Sequence, residues 1–128
     1  MAEPGFEIRY DAQEHVLHMR IWGFWSVLTL AAYTTRLLIE TARLRGEDYD
    51  ILSDSRSFEV QGAAVSAGFE RIAARGARMQ RGRTAIVVAS QLNRIQAQRT
   101  TGGERTRIFL DMDEARAWQA AGRAAAAA

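Results

Sequence analysis

The residues best placed to do chemistry are Asp54, Ser55 and Ser57, which follow the apolar stretch Tyr49-Asp50-Ile51-Leu52-Ser53. A carboxylate and two hydroxyls just past the end of an inner strand suit a polar contact site, because ligands of open α/β sheets bind outside the carboxyl ends of the strands. A helix N-terminus facing them would favour anions. The competing reading is turn and capping chemistry, for which Ser and Asp are favoured. A second cluster is Trp22, Phe24 and Trp25, three large aromatics within four residues. They offer a rim for an apolar ligand, a membrane surface or a partner protein, or else pack in the core beneath the following helix.

The remaining chemistry-bearing residues point elsewhere. His15 and His18 are three apart on a strand and face opposite ways, so they do not share one metal. With two His and no Cys, the residue set gives no transition-metal site. Asp111, Asp113 and Glu114 lack the spacing of a calcium loop and read as helix-capping carboxylates. Arg71, Arg75, Arg78, Arg81 and Arg83, with Arg94 and Arg99, could form a basic stripe for phosphates. No nucleic-acid-binding motif accompanies them, so a solvated helix face is the better reading. Neither Ser55 nor Ser57 lies in a nucleophile-elbow pattern, and no Gly-rich phosphate cradle is present. The expectation is a protein that is not an enzyme and carries no cofactor.

The 128 residues suffice for one domain with a core that needs no disulfide or metal. The net charge is +2 although the isoelectric point is 9.7. All 17 basic residues are Arg, which stays protonated far above neutral pH, so the high value says little about nucleic acid. No apolar run reaches the length of a membrane span. The N-terminus lacks a signal-peptide pattern, and the cytoplasm is the expected compartment.

Elements must then position the candidate residues. Phe6 to Tyr10 and His15 to Trp22 alternate apolar and polar, predicting a hairpin. Phe6, Ile8, Tyr10, Leu17, Met19 and Ile21 would lie on its covered face, and Glu7, Arg9, His18 and Arg20 on its open one. Ser26 is an N-cap for a helix from about Val27 to Arg45, with Val27, Leu30, Ala31, Thr34, Leu37, Leu38 and Thr41 as the buried stripe and Gly46 closing it in the left-handed conformation. The hub strand, 49–54, ends in the polar loop Ser55-Arg56-Ser57. A second helix runs from about Ala63 to Ala77, burying Val65, Phe69, Ile72 and Ala73. After the turn Gln80-Arg81-Gly82, the run Thr84 to Ala89 is an inner parallel strand. Ser90 caps a helix from Gln91 to about Arg99 anchored by Leu92 and Ile95. Thr100 to Glu104 is a loop, Arg105 to Leu110 an edge strand. Asp111 with Glu114 resembles a capping box for a short last helix that packs Ala115 and Trp118 inward. The fold class is α/β: a single mixed, mostly parallel five-stranded sheet with about four helices in the order β-β-α-β-α-β-α-β-α. The domain spans 1–119, with 120–128 a low-complexity Ala-rich tail set aside from functional reasoning.

The chain resembles the STAS-like, or SpoIIAA-like, proteins related to the sporulation anti-sigma-factor antagonist, over about residues 6 to 119. The resemblance rests on the element order, on Gly23-Phe24-Trp25-Ser26, on Leu52-Ser53-Asp54, and on Phe109-Leu110-Asp111-Met112-Asp113-Glu114-Ala115-Arg116-Ala117-Trp118. That last stretch is similar to the family's closing F-x-D-x-x-E-A-x-x-W. The resemblance implies a bacterial, non-catalytic module that acts by protein interaction, with relatives thought to bind nonpolar ligands or associate with membranes. The phosphorylatable Ser of the sigma-factor regulators has no counterpart in Glu59-Val60-Gln61-Gly62-Ala63. Ser55 and Ser57 lie out of register, so the phosphorylation switch is not carried over.

The leading expectation is therefore a protein partner or a homodimer formed through the open sheet face or an edge, without nucleic acid or a transmembrane segment. The alternative is a carrier or sensor of a small nonpolar ligand or a membrane surface, using Trp22, Phe24 and Trp25. A cavity between sheet and helices separates the two. On the interaction reading, Trp25→Ala or Arg20→Glu should alter self-association and leave the fold intact.

Overall fold

The computed structural model describes residues 3–79, 82–101 and 103–127. Period-two alternation builds the hairpin of β1 (Gly5–Asp11) and β2 (Val16–Gly23). Its antiparallel register sets Phe6 against Ile21, Ile8 against Met19 and Tyr10 against Leu17, with Glu7 against Arg20 and Arg9 against His18. Paired residues share a face, so one face is apolar and the other charged, as the alternation predicts.

Three further strands join in parallel: β3 (Asp50–Phe58), β4 (Thr84–Val87) and β5 (Thr106–Phe109). Their order in the sheet is the order in the chain, with β1 and β5 at the edges. The connecting helices are α1 (Val27–Arg43), α2 (Ala63–Met79) and α3 (Gln91–Thr101), and α4 (Met112–Ala127) follows β5. The caps act as their residue types require. Ser26 Oγ accepts the Thr29 N–H at 3.3 Å, Ser90 Oγ that of Asn93 at 3.2 Å, and Asp111 that of Glu114 at 3.0 Å. Gly46 sits at φ 87, two residues past the C-cap Leu44. Of the expected turn 80–82, Gln80 and Arg81 lie outside the described residues, as does Gly102 of the expected loop 100–104.

Two cores flank the sheet. One gathers Ile8, Leu17, Ile21, Trp25, Leu30, Tyr33 and Val65 beneath α1 and α2. The other gathers Val16, Leu52, Ala85, Val87 and Phe109 against Ala115 and Trp118 of α4. Gly68 permits the close α1–α2 contact, because a Cβ there would collide with the side chain of Leu30.

Several elements differ from the sequence reading. The polar loop Ser55-Arg56-Ser57 is part of β3, because β2 is long enough to pair with it as far as Phe58. The buried stripe of α1 is Leu30 and Tyr33 with Leu37, while Val27, Ala31 and Leu38 are exposed. Tyr33 reaches the core because its ring nests among Phe6, Trp25 and Phe69, which turns the helix toward it. Leu92 and Ile95 do not anchor α3. They are 61% and 49% exposed, because the helix turns Asn93, Gln96 and Ala97 inward over a cleft. Thr100 and Thr101 continue α3 rather than entering a loop.

The last helix is not short. It continues through Ala127, and its second half grips the start of β3. Gln119 Nε2 donates to the Ile51 carbonyl at 2.7 Å and to the Arg83 carbonyl at 3.2 Å. Arg123 Nε donates to the buried Asp50 carboxylate at 2.9 Å, and its Nη2 to the His15 carbonyl at 2.7 Å. Asp50 also accepts the Arg83 N–H at 2.8 Å.

Candidate functional site

α4 packs on β3, β4 and β5, and the core beneath it reaches Val16 at the start of β2. Beyond that point Glu7, Arg9 and Arg20 of the hairpin's charged face and Arg56 and Ser57 at the far end of β3 are left exposed. A β-bulge organises this surface. Between the pairs Arg20–Asp54 and Trp22–Ser57 the register slips by one residue. A bulge bends a strand and re-aims its side chains. Here Asp54 and Arg56 meet as a two-pronged pair, Nε to Oδ1 and Nη2 to Oδ2, both at 2.9 Å. The Arg56 hydrogen bonds hold the Asp54 carboxyl below the usual carboxylate range against the opposing effect of burial. Beside this pair the Arg20 guanidinium stacks 4.7 Å over the Trp22 ring and reaches Glu7 at 3.7 Å. Trp22 is held in turn, its Nε1–H donating to the Glu3 carbonyl at 2.8 Å.

The structure brings together only some of the six candidate residues. Trp22, Asp54 and Ser57 share the open face, joined by Arg20 and Arg56. Ser55 is buried on the opposite face, its Oγ 3.1 Å from that of Ser53. Phe24 is 55% exposed at the start of α1. Trp25 is 2% exposed and ringed by Phe6, Tyr33, Phe58 and Phe69. Its Nε1–H donates to the Trp22 carbonyl at 2.9 Å, and its backbone N–H to Gln61 Oε1 at 2.7 Å. Trp25 is thus not a surface aromatic, and Trp25→Ala would perturb the fold rather than report on a contact face. The sequence does not separate the three aromatics, because the turn at Gly23 (φ 84) redirects the chain between them. Arg20, expected on the open face, and Arg56, which the sequence reading put in a loop, complete the site. Arg20 lies beside Trp22 on that face, and the signal for Arg56 was its i, i+2 spacing from Asp54 on one strand, which reading 55–57 as a loop hid.

Ser55 looks into a half-open cleft of about 100 Å³ between the sheet and helices α2 and α3. Ile21, Phe58, Phe69 and Ile86 make its wall apolar, and Ser66, Asn93 and Gln96 add uncharged polar groups. The basic stripe is not continuous. Arg83 turns inward, 4.8 Å over the Trp118 ring with Nη1 donating to the Trp118 carbonyl at 2.8 Å, and Arg81 lies outside the described residues.

At the hairpin turn, Asp11, Glu14 and His18 bring a carboxylate oxygen each and an imidazole nitrogen within 4.8 Å of one another. Their spacing, read across the turn, is the signal that weighing His15 and His18 alone passes over. Asp11 Oδ1 is committed to the turn, accepting the N–H groups of Gln13 and Glu14 at 2.9 and 3.0 Å. His18 Nε2 lies 3.5 Å from Glu14. Burial, with Arg9 and Arg116 nearby, lowers the His18 pKa below its usual 6.5, although Glu14 and its hydrogen bond oppose the shift. A folded-state value below the unfolded one means that protonation favours unfolding. The stability His18 contributes is therefore complete above the unfolded value near pH 6.5 and is lost as the pH falls through the folded value. The urea midpoint should drop on acidification from about pH 7 to pH 5, and His18→Gln should flatten that part of the profile.

Solved structures show the same architecture. An uncharacterised protein of the DUF3478 family with a SpoIIAA-like fold, from Shewanella loihica PV-4, superposes with a TM-score of 0.71 at 17% identity, over 93% of this chain and 97% of that one. An anti-sigma factor antagonist from Mycobacterium paratuberculosis superposes with a TM-score of 0.63 at 13% identity, over 91% and 95% of the two chains. No family model and no curated protein matches the sequence. At these identities the likeness establishes the fold, which is STAS-like.

Proposed function

We propose that this chain is a non-catalytic, regulatory protein-interaction module that meets its partner through the uncovered face of β1, β2 and the end of β3. The observation that carries this reading is the pre-organised pair of contacts there, Arg20 stacked on Trp22 and Asp54 forked to Arg56. Arg and Trp are the side chains that most often dominate binding energy at interfaces, and holding them in place beforehand lowers the entropy lost on association. The likeness to an anti-sigma factor antagonist supports a regulatory role. Fold alone does not transfer function, so the face itself must be tested. A photo-reactive residue in place of Ser57, activated in cells of the source organism, should yield discrete protein adducts that Arg20→Glu abolishes. A smear of adducts indifferent to Arg20→Glu would remove this face from consideration.

The cleft favours a second reading, as a carrier or sensor of a small nonpolar ligand. A core packed solid between sheet and helices would have argued against it, and about 100 Å³ is open there. That space matches three or so water molecules at ~30 Å³ each, or a ligand of a few heavy atoms. Native mass spectrometry distinguishes this reading. A carrier would show an extra mass lost on denaturation and absent from Ala97→Phe, which fills the cleft.

A further inference from the structure

The outward side of α1 is apolar along its length. Leu28 is 80% exposed, Ile39 46% and Leu38 39%, and Ala31, Ala32, Thr35 and Ala42 between and beyond them are exposed as well. At helical spacing these residues form one stripe opposite the buried Leu30 and Tyr33. No charged residue interrupts it. The nearest charges, Arg36, Glu40 and Arg43, lie to one side and are tied to each other at 3.1 and 3.2 Å. Arg36 also reaches down to the Ile8 carbonyl at 3.4 Å, away from the stripe.

We infer that this stripe is the docking surface for a second copy of the same chain, with the two α1 helices crossing antiparallel about Thr35. The pattern of residue sizes carries the inference. A twofold axis requires a surface complementary to its own reverse. Antiparallel pairing about Thr35 sets Leu28 against Ala42, Ala31 against Ile39 and Ala32 against Leu38, so each large side chain meets a small one. Large side chains facing small ones across the crossing let the two helices interdigitate.

A membrane surface fits less well. Membrane-surface helices carry cationic polar faces, whereas here the flanking Arg residues share Glu40. From Leu28 to Ala42 the stripe runs about 21 Å at 1.5 Å per residue. Two helices meeting over that length bury less than the ~1,200 Å² of a standard interface, so the dimer is weak and reversible. The inference does not depend on the uncovered sheet face.

The chain has no Cys, which makes the test clean. Thr35→Cys places one thiol at the twofold axis and should give a disulfide-linked dimer under mild oxidation, faster than the exposed control Arg75→Cys on α2. Sedimentation over a concentration series should show a monomer–dimer equilibrium. Leu28→Glu should weaken it at least tenfold, because it places a charge in the contact, while Arg20→Glu leaves it unchanged. Leu28 is exposed, so the variant should fold, which its circular dichroism verifies. A parent that stays monomeric with Thr35→Cys no faster than Arg75→Cys overturns the inference. So does a dimer lost in Arg20→Glu but kept in Leu28→Glu, or a parent that floats with anionic phosphatidylserine vesicles through Leu28 and forms no Thr35→Cys crosslink.

Discussion

Trp25→Ala should lower the unfolding free energy by about 3–5 kcal/mol, the range for truncating a large buried aromatic. The expectation rests on four ring contacts between 5.1 and 6.0 Å, to Tyr33, Phe58, Phe69 and Phe6. These rings come from β1, α1, β3 and α2, so the indole joins the hairpin to both helices above it. Its N–H also satisfies the Trp22 carbonyl. Small domains are stable by about 5–15 kcal/mol, so the variant should have a much lower urea midpoint. Trp25→Phe keeps most of the ring contacts and loses the N–H, and should cost clearly less. Equal losses in the two variants would mean that the hydrogen bond, not the packing, matters at this position.

Asp50→Ala should cost about 2–4 kcal/mol, because it strips a buried carboxylate from two donors at once. The Arg83 N–H at 2.8 Å and Arg123 Nε at 2.9 Å both lose their acceptor. Arg123 is 35% exposed and can rehydrate in part, which places the loss below that of a fully buried pair. Arg123→Ala should cost less, and the double variant should be less destabilised than the sum of the two. Strict additivity in that cycle would show that the contact does not couple the helix to the strand.

The fold was legible because its signals are local. Alternation in the hairpin, Ser26, Ser90 and Asp111 as caps, and the apolar run at β4 each fix an element without reference to distant residues. The candidate site was legible only in part. Asp54 and Trp22 were found because they flank strand ends, but the continuation of β3 through Arg56 and Ser57, with its bulge, arises from how β2 and β3 align, which neither segment encodes alone. The rotation of α1 was misread for a related reason. Val27 and Leu38 are as apolar as Leu30, and only the aromatic nest that receives Tyr33 decides which side turns inward. On α3 hydrophobicity pointed the wrong way, since the inward residues line a cleft instead of filling a core.

The grip of Arg123 on Asp50 spans 73 residues of sequence, and this sets a schedule for folding during synthesis. At the usual ~5–20 residues per second, β3 leaves the ribosome roughly 4–15 s before the residue that neutralises its first carboxylate. Through that interval Leu52, and from about its midpoint Ala85 and Val87, which all end up beneath α4, have no cover. The hairpin and the layer of α1 and α2 can assemble as they emerge, but the opposite face of the sheet must wait. The nascent chain therefore presents a bare apolar sheet surface for seconds, a natural target for ribosome-associated chaperones, and any stall in translation before α4 prolongs that exposure.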